Sequence, residues 1–309
     1  MAELTIIVPF VQEWPQVAFT LRSIAEELQG RVDFEIIAVD NWCDQVARQA
    51  GGRTPDRAHV QLAQLAAKTP WLRVLKYDKK LSHWQAKKLA IDSSTSPFIW
   101  FCDAHCVVSR DALFNMFEYY KKNHVELNGS IHLPLTYHIM ETGKLIYKLN
   151  CKLDEGFYGY SFSQYRESAV PYEVPVMSTC GMMVSRDLYN YIGGWPEELG
   201  IYGGGENFFN FALSVTGKKK WISAGRPLYH HGEKRGYHYE GGDMVRNRAI
   251  AFFLIGGEQI LTKYLDKLSA APTLKRRLLQ NLPVLCADQR KLIMERTEIE
   301  INDWVAKWN

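Results

Sequence analysis

No stretch of this sequence approaches the roughly 18 consecutive apolar residues that a membrane span requires. Its best candidate, Ala249 to Ile255, is far too short. The amino terminus does not combine a basic start, a long apolar centre and a small-residue cleavage site, so no secretory leader is expected. Cysteine is scarce: six in 309 residues do not make a disulfide framework. Cys102 sits inside an apolar run and reads as reduced and buried. Neither sign of charge dominates, since 37 Lys+Arg against 34 Asp+Glu leave a net +3, too mild to argue nucleic-acid binding alone. There is no internal repeat and no low-complexity tract. Together these absences predict a soluble protein of a reducing, cytoplasmic compartment with no membrane partner. What charge imbalance exists is local: residues 245–309 hold 11 basic against 7 acidic residues, a net +4, and the remainder holds 26 against 27, a net −1. A basic face is therefore expected at the carboxyl end.

Apolar residues at 47% and charged residues at 23% match a globular chain with a substantial core. LTIIVPF at the start predicts a buried parallel strand. Val17, Leu21, Ile24, Ala25 and Leu28 follow at helical spacing, with Gly30 as the stop. FEIIAVDN predicts a second strand ending in Asp40, residues 56–68 a helix, LRVLKY at 72–77 a third strand, residues 83–92 a helix, and FIWFCD at 98–103 a fourth strand. Alternating strands and helices point to an α/β doubly wound sheet, in which ligands bind beyond the carboxyl ends of the strands. Asp40 and Asp103 stand at two such ends. Residues 150–180 are expected as loops and short strands around an acceptor site. The Gly triplet at 203–205 opens a helix with Phe208, Phe211, Ala212 and Val215 on its core face. A loop is expected at 225–243, and helices from Met244 to the end, broken near Pro272 and Pro283.

Asp103-Ala104-His105 directly follows an apolar strand. A carboxylate and an imidazole two positions apart there can both reach one divalent cation, and the oxygen–nitrogen mixture suits Mn²⁺ more than Mg²⁺ or Ca²⁺. Alone, the tripeptide reads more readily as a capped turn with a surface histidine. Two further features bear on it. Gly-rich 203–205 allows close backbone approach to a ligand ahead of Glu206-Asn207. Tyr229-His230-His231 offers a second imidazole from a distant segment; neighbours on an extended chain face opposite ways, so one of the two histidines points in. His83 and Trp84 are candidate donor-site residues, though core or surface packing explains them better. A zinc site of Cys102, His105 and Cys106 is disfavoured because strand alternation spoils their convergence.

In this order, the elements resemble those of a GT-A nucleotide-sugar glycosyltransferase. TIIVPF and FEIIAVDN resemble the first two strands of family-two glycosyltransferases, and the fifteen positions from Lys88 to Asp103 equal that family's usual gap between its basic-Asn element and its DxD motif. Asp103-Ala104-His105-Cys106 and Gly204-Gly205-Glu206-Asn207 resemble the DxH and GGEN segments of polypeptide N-acetylgalactosaminyltransferases. There a ligating histidine follows the glutamate by about the interval from Glu206 to His231. The resemblance spans roughly residues 4–240. It implies an α/β GT-A domain over 1–243, a mainly parallel sheet flanked by helices, with a helical extension over 244–309. It also implies a UDP-sugar donor, Mn²⁺ or another divalent cation, and Asp103, His105 and His231 as its ligands. Pro9, Phe10 and Glu13 would lie against the base, Asp40 on the uracil or ribose, and Lys88 on the nucleotide or its phosphates. Lys234 and Arg235 would close over the diphosphate, and Glu206 would bind sugar hydroxyls or the acceptor.

Three departures matter. Val11-Gln12 replaces the usual aromatic-Asn, Lys88 stands in place of Arg-Asn, and Asn207 stands where inverting members place a carboxylate. An amide is no general base at neutral pH, which favours a retaining outcome or a base elsewhere. MVRNRAIAFFLIGGE resembles stretches of phage-type family-two-like enzymes, some of which modify hydroxymethylated pyrimidines in DNA. On that resemblance Arg246, Arg248, Lys275, Arg276 and Arg277 would neutralise duplex phosphates. The alternatives are a cytoplasmic saccharide or protein hydroxyl as acceptor, and a non-catalytic nucleotide-sugar-binding module. A nucleotidyltransferase would carry a Gly-rich basic signature that residues 9–20 lack.

Overall fold

The computed structural model describes residues 2–51, 57–137, 143–152, 157–231, 237–239, 241–269 and 271–308, with backbone only at 157 and 158. In chain order the elements are β1 (Leu4–Phe10), α1 (Gln16–Leu28), β2 (Phe34–Asp40), α2 (Asp44–Gln49), α3 (Arg57–Ala66), β3 (Leu72–Lys76), α4 (His83–Asp92), β4 (Phe98–Phe101), β5 (Cys106–Val108), α5 (Ala112–Leu127), β6 (Gly129–His132), β7 (Leu135–Thr136), β8 (Leu145–Lys152), β9 (Phe157–Gln164), β10 (Tyr172–Glu173), β11 (Met182–Ser185), α6 (Arg186–Tyr191), α7 (Gly205–Val215), β12 (Lys219–Ile222), β13 (Leu228–His230), α8 (Gly241–Asp266), α9 (Pro272–Leu285), α10 (Ala287–Glu295) and α11 (Ile301–Trp308).

Eight strands form the main sheet in the order β10-β12-β6-β11-β4-β1-β2-β3. β3, β2, β1 and β4 run parallel, while β11 lies antiparallel between β4 and β6. β1 is buried along its whole length because it is hydrogen-bonded on both edges and covered on both faces. Alternation sorts its side chains. Leu4, Ile6, Val8 and Phe10 join the core beneath α1, α3 and α5, and Ile7 joins the core under α4, α7 and α8. The chain winds outward from β1 through β2 to β3, then returns to place β4 on the other side of β1. That reversal opens a crevice beyond the carboxyl ends of β1 and β4.

A second sheet, β5-β13-β7-β8-β9, stands against the first. Its β8 and β9 pair over eight residues each, from Leu145 opposite Gln164 to Lys152 opposite Phe157. Loops and short strands were expected from residue 150; the strands found are longer and begin earlier, at Leu145. The alternation in LIYKLNCK and FYGYSFSQ is a strand signal that the density of Tyr and Ser obscured. The 225–243 stretch likewise contains β13 rather than loop alone, β4 stops at Phe101, and α2 was not anticipated.

The C-terminal helices do not stand apart. Ala249 to Ile255 of α8 share one core cluster with Phe208 and Phe211 of α7 and Trp304 of α11. The boundary expected after residue 243 falls within α8. That helix breaks at Gly257, whose φ of 66° and ψ of −160° exclude side-chain-bearing residues. Arg290 from α10 donates to the carbonyls of Leu254 (2.7 Å) and Ile255 (2.9 Å), capping the first half. Pro272 begins α9 as expected, but Pro283 lies inside it. The chain turns instead at Cys286.

Lys220 of β12 is buried among these helices, donating to the Ser214 hydroxyl and the Asn210 carbonyl below the Trp304 ring. Burial pushes its ammonium down to about 7, from 10.5. The unfolded chain therefore binds more protons between those values, so stability rises with pH across that window. In denaturant titrations, wild type should gain roughly 2 kcal/mol between about pH 7 and pH 9 relative to Lys220→Met. Parallel pH profiles for the two proteins would exclude this account.

Candidate active site

A cleft of about 460 Å³ opens at the crevice beyond β1 and β4. Asp103, at its floor, follows β4 by two residues. β13 pairs antiparallel with β5 so that His230 lies opposite Cys106, and His231 N–H donates to the His105 carbonyl at 2.9 Å. This register carries the distant histidine to the metal-like tripeptide. It brings His230, not His231: His230 Nε2 is 3.2 Å from Asp103 Oδ2, whereas His231 is exposed. The His105 and His230 rings meet edge-on with centroids 4.8 Å apart.

Glu13, expected at the nucleotide base, lines the cleft. It engages His105, accepting from Nδ1 at 2.6 Å and from the Val11 N–H at 3.0 Å. A carboxylate on Nδ1 fixes the tautomer with the lone pair on Nε2, the arrangement commonly found behind ligating histidines. Among the described residues, the buried His230 Nδ1 has no partner. A carboxylate with two imidazoles, one of them oriented by a second carboxylate, is a donor set that fits a borderline divalent cation. Burial pushes the Asp103 pKa up, but His230, Lys87 and His105 outweigh it and hold the carboxyl well below its usual range.

Lys87 had no expected role. It is buried beneath the cleft over the Trp84 ring (5.0 Å), with Nζ 3.8 Å from Asp103 Oδ1. Its neighbour Lys88 turns away to pair with Asp92 at 2.8 Å and lines a separate hollow. Helical period could have shown this, because Trp84, Lys87 and Ile91 share one face of α4, while Lys88 and Asp92 form an i,i+4 pair on another.

Glu206 opens α7, where a carboxylate suits the positive end of the helix. It accepts only. Oε1 takes Thr179 N–H (2.9 Å), Ser178 Oγ (3.1 Å) and Thr179 Oγ1 (3.4 Å), and Oε2 takes the Tyr160 hydroxyl. Asn207 lines the same cleft. Tyr147 stacks on Tyr160 at 4.8 Å, and Phe162 and Tyr137 extend this aromatic wall to the mouth. The Gly triplet is needed for packing. A Cβ on Gly205 would lie 2.3 Å from the Trp84 ring, and one on Gly204 would lie 2.2 Å from the Asn247 backbone. Gly205→Ala should cost about 1–3 kcal/mol by overpacking, read as a lower denaturation midpoint. An unchanged midpoint would mean that Trp84 yields freely.

The other expected residues divide between the cleft and other parts of the fold. Pro9 lines the cleft, but Phe10 is in the core beneath it. Asp40 is buried in a separate hollow, held by the Trp42 N–H (2.8 Å) and beside His59 Nδ1 (3.0 Å). His83 and Trp84 both line the cleft. The basic set divides: Arg248 enters the cleft, Arg246 pairs with Asp243 at 3.3 Å, and Lys275, Arg276 and Arg277 stand on α9. Lys234 and Arg235 lie outside the described residues. No helix among the described residues is long and apolar enough to cross a membrane.

Residues 5–193 match the family described as glycosyl transferase family 2. The chain belongs to that family. The matched segment holds Asp103 and His105, while Glu206, His230 and Arg248 of this family 2 chain come from beyond it. Among solved structures, GalNAc-T7 with UDP, GalNAc and Mn²⁺ is similar over 100% of this chain and 58% of that one, at 15% identity and a TM-score of 0.68. S. aureus TarS 1–349 in complex with UDP-GlcNAc is similar over 98% of this chain and 89% of that one, at 13% identity and a TM-score of 0.57. For the longer S. aureus TarS chain the shares are 88% and 44%, at 12% identity and a TM-score of 0.52. The family 2 chain thus spans 58% of the GalNAc-T7 chain and 44% of the longer TarS chain. At these identities the likeness is one of fold, the α/β GT-A architecture. No curated protein sequence matches this chain.

Proposed function

We propose that this family 2 chain transfers a glycosyl group from a UDP-sugar to a hydroxyl acceptor, with Asp103, His105 and His230 holding a divalent cation. Convergence of those three side chains in one cleft with Glu206 carries the proposal. His230 takes the part that spacing alone gave to His231. The bound UDP and Mn²⁺ of GalNAc-T7 and the UDP-GlcNAc of TarS support the donor class. A bound cation, Mn²⁺ for this donor set, would neutralise charge developing on the leaving diphosphate.

The chain's own residues do the rest. Glu13 keeps the His105 ring turned toward the cleft. Lys87 adds a fixed positive charge where the diphosphate would lie. Glu206, its geometry set by Thr179, Ser178 and Tyr160, orients sugar or acceptor hydroxyls. Asn207 beside it offers no general base, which supports a retaining outcome.

For the acceptor, a hydroxymethylated pyrimidine in duplex DNA remains the leading proposal. Its support on the surface is the run Lys275, Arg276 and Arg277, since Arg248 faces the cleft. Incubation with UDP-sugars and Mn²⁺ should release UDP slowly, and chelation should stop it. Failure to bind any UDP-sugar rejects the donor assignment. Binding to hydroxymethylated duplex should weaken steeply with salt and fall on joint Arg276→Ala and Arg277→Ala substitution. Salt-insensitive or absent binding leaves a saccharide or protein hydroxyl as acceptor.

A further inference from the structure

Behind the tripeptide lies a group of thiols that plays no part in the proposed transfer. Cys102 follows β4, Cys106 opens β5, and Cys180 precedes β11. All three are free and buried, with their sulfurs within 4.8 Å of one another and Cys106 Sγ 3.5 Å from Cys180 Sγ. Three separate strand ends therefore deliver one sulfur each to a common point. Hydrogen bonds hold two of them there: Cys106 N–H donates to Thr20 Oγ1 at 2.9 Å and Cys180 N–H to Ser178 Oγ at 3.0 Å.

We propose that Cys102, Cys106 and Cys180 form a binding site for a thiophilic metal ion of the zinc class. A tetrahedral thiolate site with zinc–sulfur bonds of about 2.3 Å spaces its sulfurs by about 3.7 Å, a span this cluster reaches with small side-chain adjustments. The next donors are at hand, since Asp103 and His230 each lie within 4.8 Å of Cys180 Sγ. The soft site thus adjoins the oxygen–nitrogen site of the cleft without sharing its three sulfurs. Thiolates select ions of the zinc class, whereas Mn²⁺ ranks lowest in affinity and favours oxygen. Loading exchanges protons for the ion: three S–H bonds break, three sulfur–metal bonds form, and the three protons pass to the buffer. Nothing is oxidised or reduced. Strand alternation was expected to keep Cys102 and Cys106 from converging. The chain leaves the strand at Cys102 and re-enters one at Cys106, so alternation does not apply between them.

Co²⁺ tests the site, because thiolate coordination gives it sulfur-to-metal charge-transfer bands and tetrahedral d–d bands. The reduced, metal-free full chain, titrated in excess Mn²⁺, should develop both bands and saturate at one Co²⁺ per chain. Cys106→Ser and Cys180→Ser should each lose most of the charge-transfer intensity, while Cys43→Ser and Cys286→Ser keep it. X-ray absorption of zinc-loaded wild type should count three sulfurs, which does not depend on any variant folding. Absence of the bands in wild type, their survival in Cys106→Ser and Cys180→Ser, or a sulfur count below two overturns the proposal. None of these readouts involves sugar transfer, so failure here is distinct from failure of the transferase assignment.

Discussion

His230→Ala is expected to weaken Mn²⁺ binding by more than about 100-fold, and UDP release with it, while His231→Ala changes either by less than about twofold. Loss of an outer partner of a metal ligand commonly costs 10–100-fold, so removal of a ligand should exceed that range. The two histidines differ by one residue and by one consequence of strand pairing. β13 is hydrogen-bonded to β5 in a register that sets His230 opposite Cys106, and alternation sends consecutive side chains to opposite sides. His230 reaches Asp103, and only the backbone of His231 touches the site, through the His105 carbonyl. Direct titration of Mn²⁺ by its paramagnetic resonance signal measures the binding, and UDP release measures the turnover. Equal losses in the two variants would mean that β13 shifts register when the cation binds. A loss confined to His231→Ala would restore the assignment that spacing suggested.

The same comparison shows what the chain discloses before folding and what it does not. Buried runs such as LTIIVPF and FEIIAVD identify their strands because a parallel strand covered on both faces has little room for polar residues. Asp103 and Glu206 were legible for a related reason: each stands at a strand or helix end, where local sequence determines position. His230 was not legible, since its side is decided by pairing with a strand more than a hundred residues earlier. Lys87 was overlooked for Lys88, although the face shared with Trp84 and Ile91 was present in the helical period. The thiol cluster required Cys180 to arrive from a third segment, which no spacing rule within Cys102–Cys106 reveals. The C-terminal helices were recognisable as helices, but not as part of the main core. Amphipathic pattern identifies an apolar face without naming what covers it, and here α8 packs on α7.

Glu206→Gln should lower kcat by about two to three orders of magnitude, and destabilise the chain by about 1–3 kcal/mol, although it removes no atom of bulk. Among the described residues, each hydrogen-bond partner of this carboxylate is a donor: the Thr179 N–H and hydroxyl, the Ser178 hydroxyl and the Tyr160 hydroxyl. A carboxylate satisfies all of them because both oxygens accept, whereas an amide has one oxygen and an NH₂ that only donates. Whichever end turns toward Thr179, the NH₂ meets a donor, on one side or the other. If the NH₂ faces Tyr160, that hydroxyl can rotate away, but the stacked wall of Tyr147 and Tyr160 loses its tie to α7. If it faces Thr179, a buried backbone N–H is left without an acceptor beside the thiol of Cys180. Tyr160→Phe separates the two contributions. It removes one donor and leaves the carboxylate, so it should retain most of the stability and lose less than about tenfold in kcat. A Glu206→Gln protein as stable and as active as wild type would show that the carboxylate is replaceable as an acceptor, and would move the orientation of the sugar hydroxyls to Asn207 or Arg248, which also line the cleft.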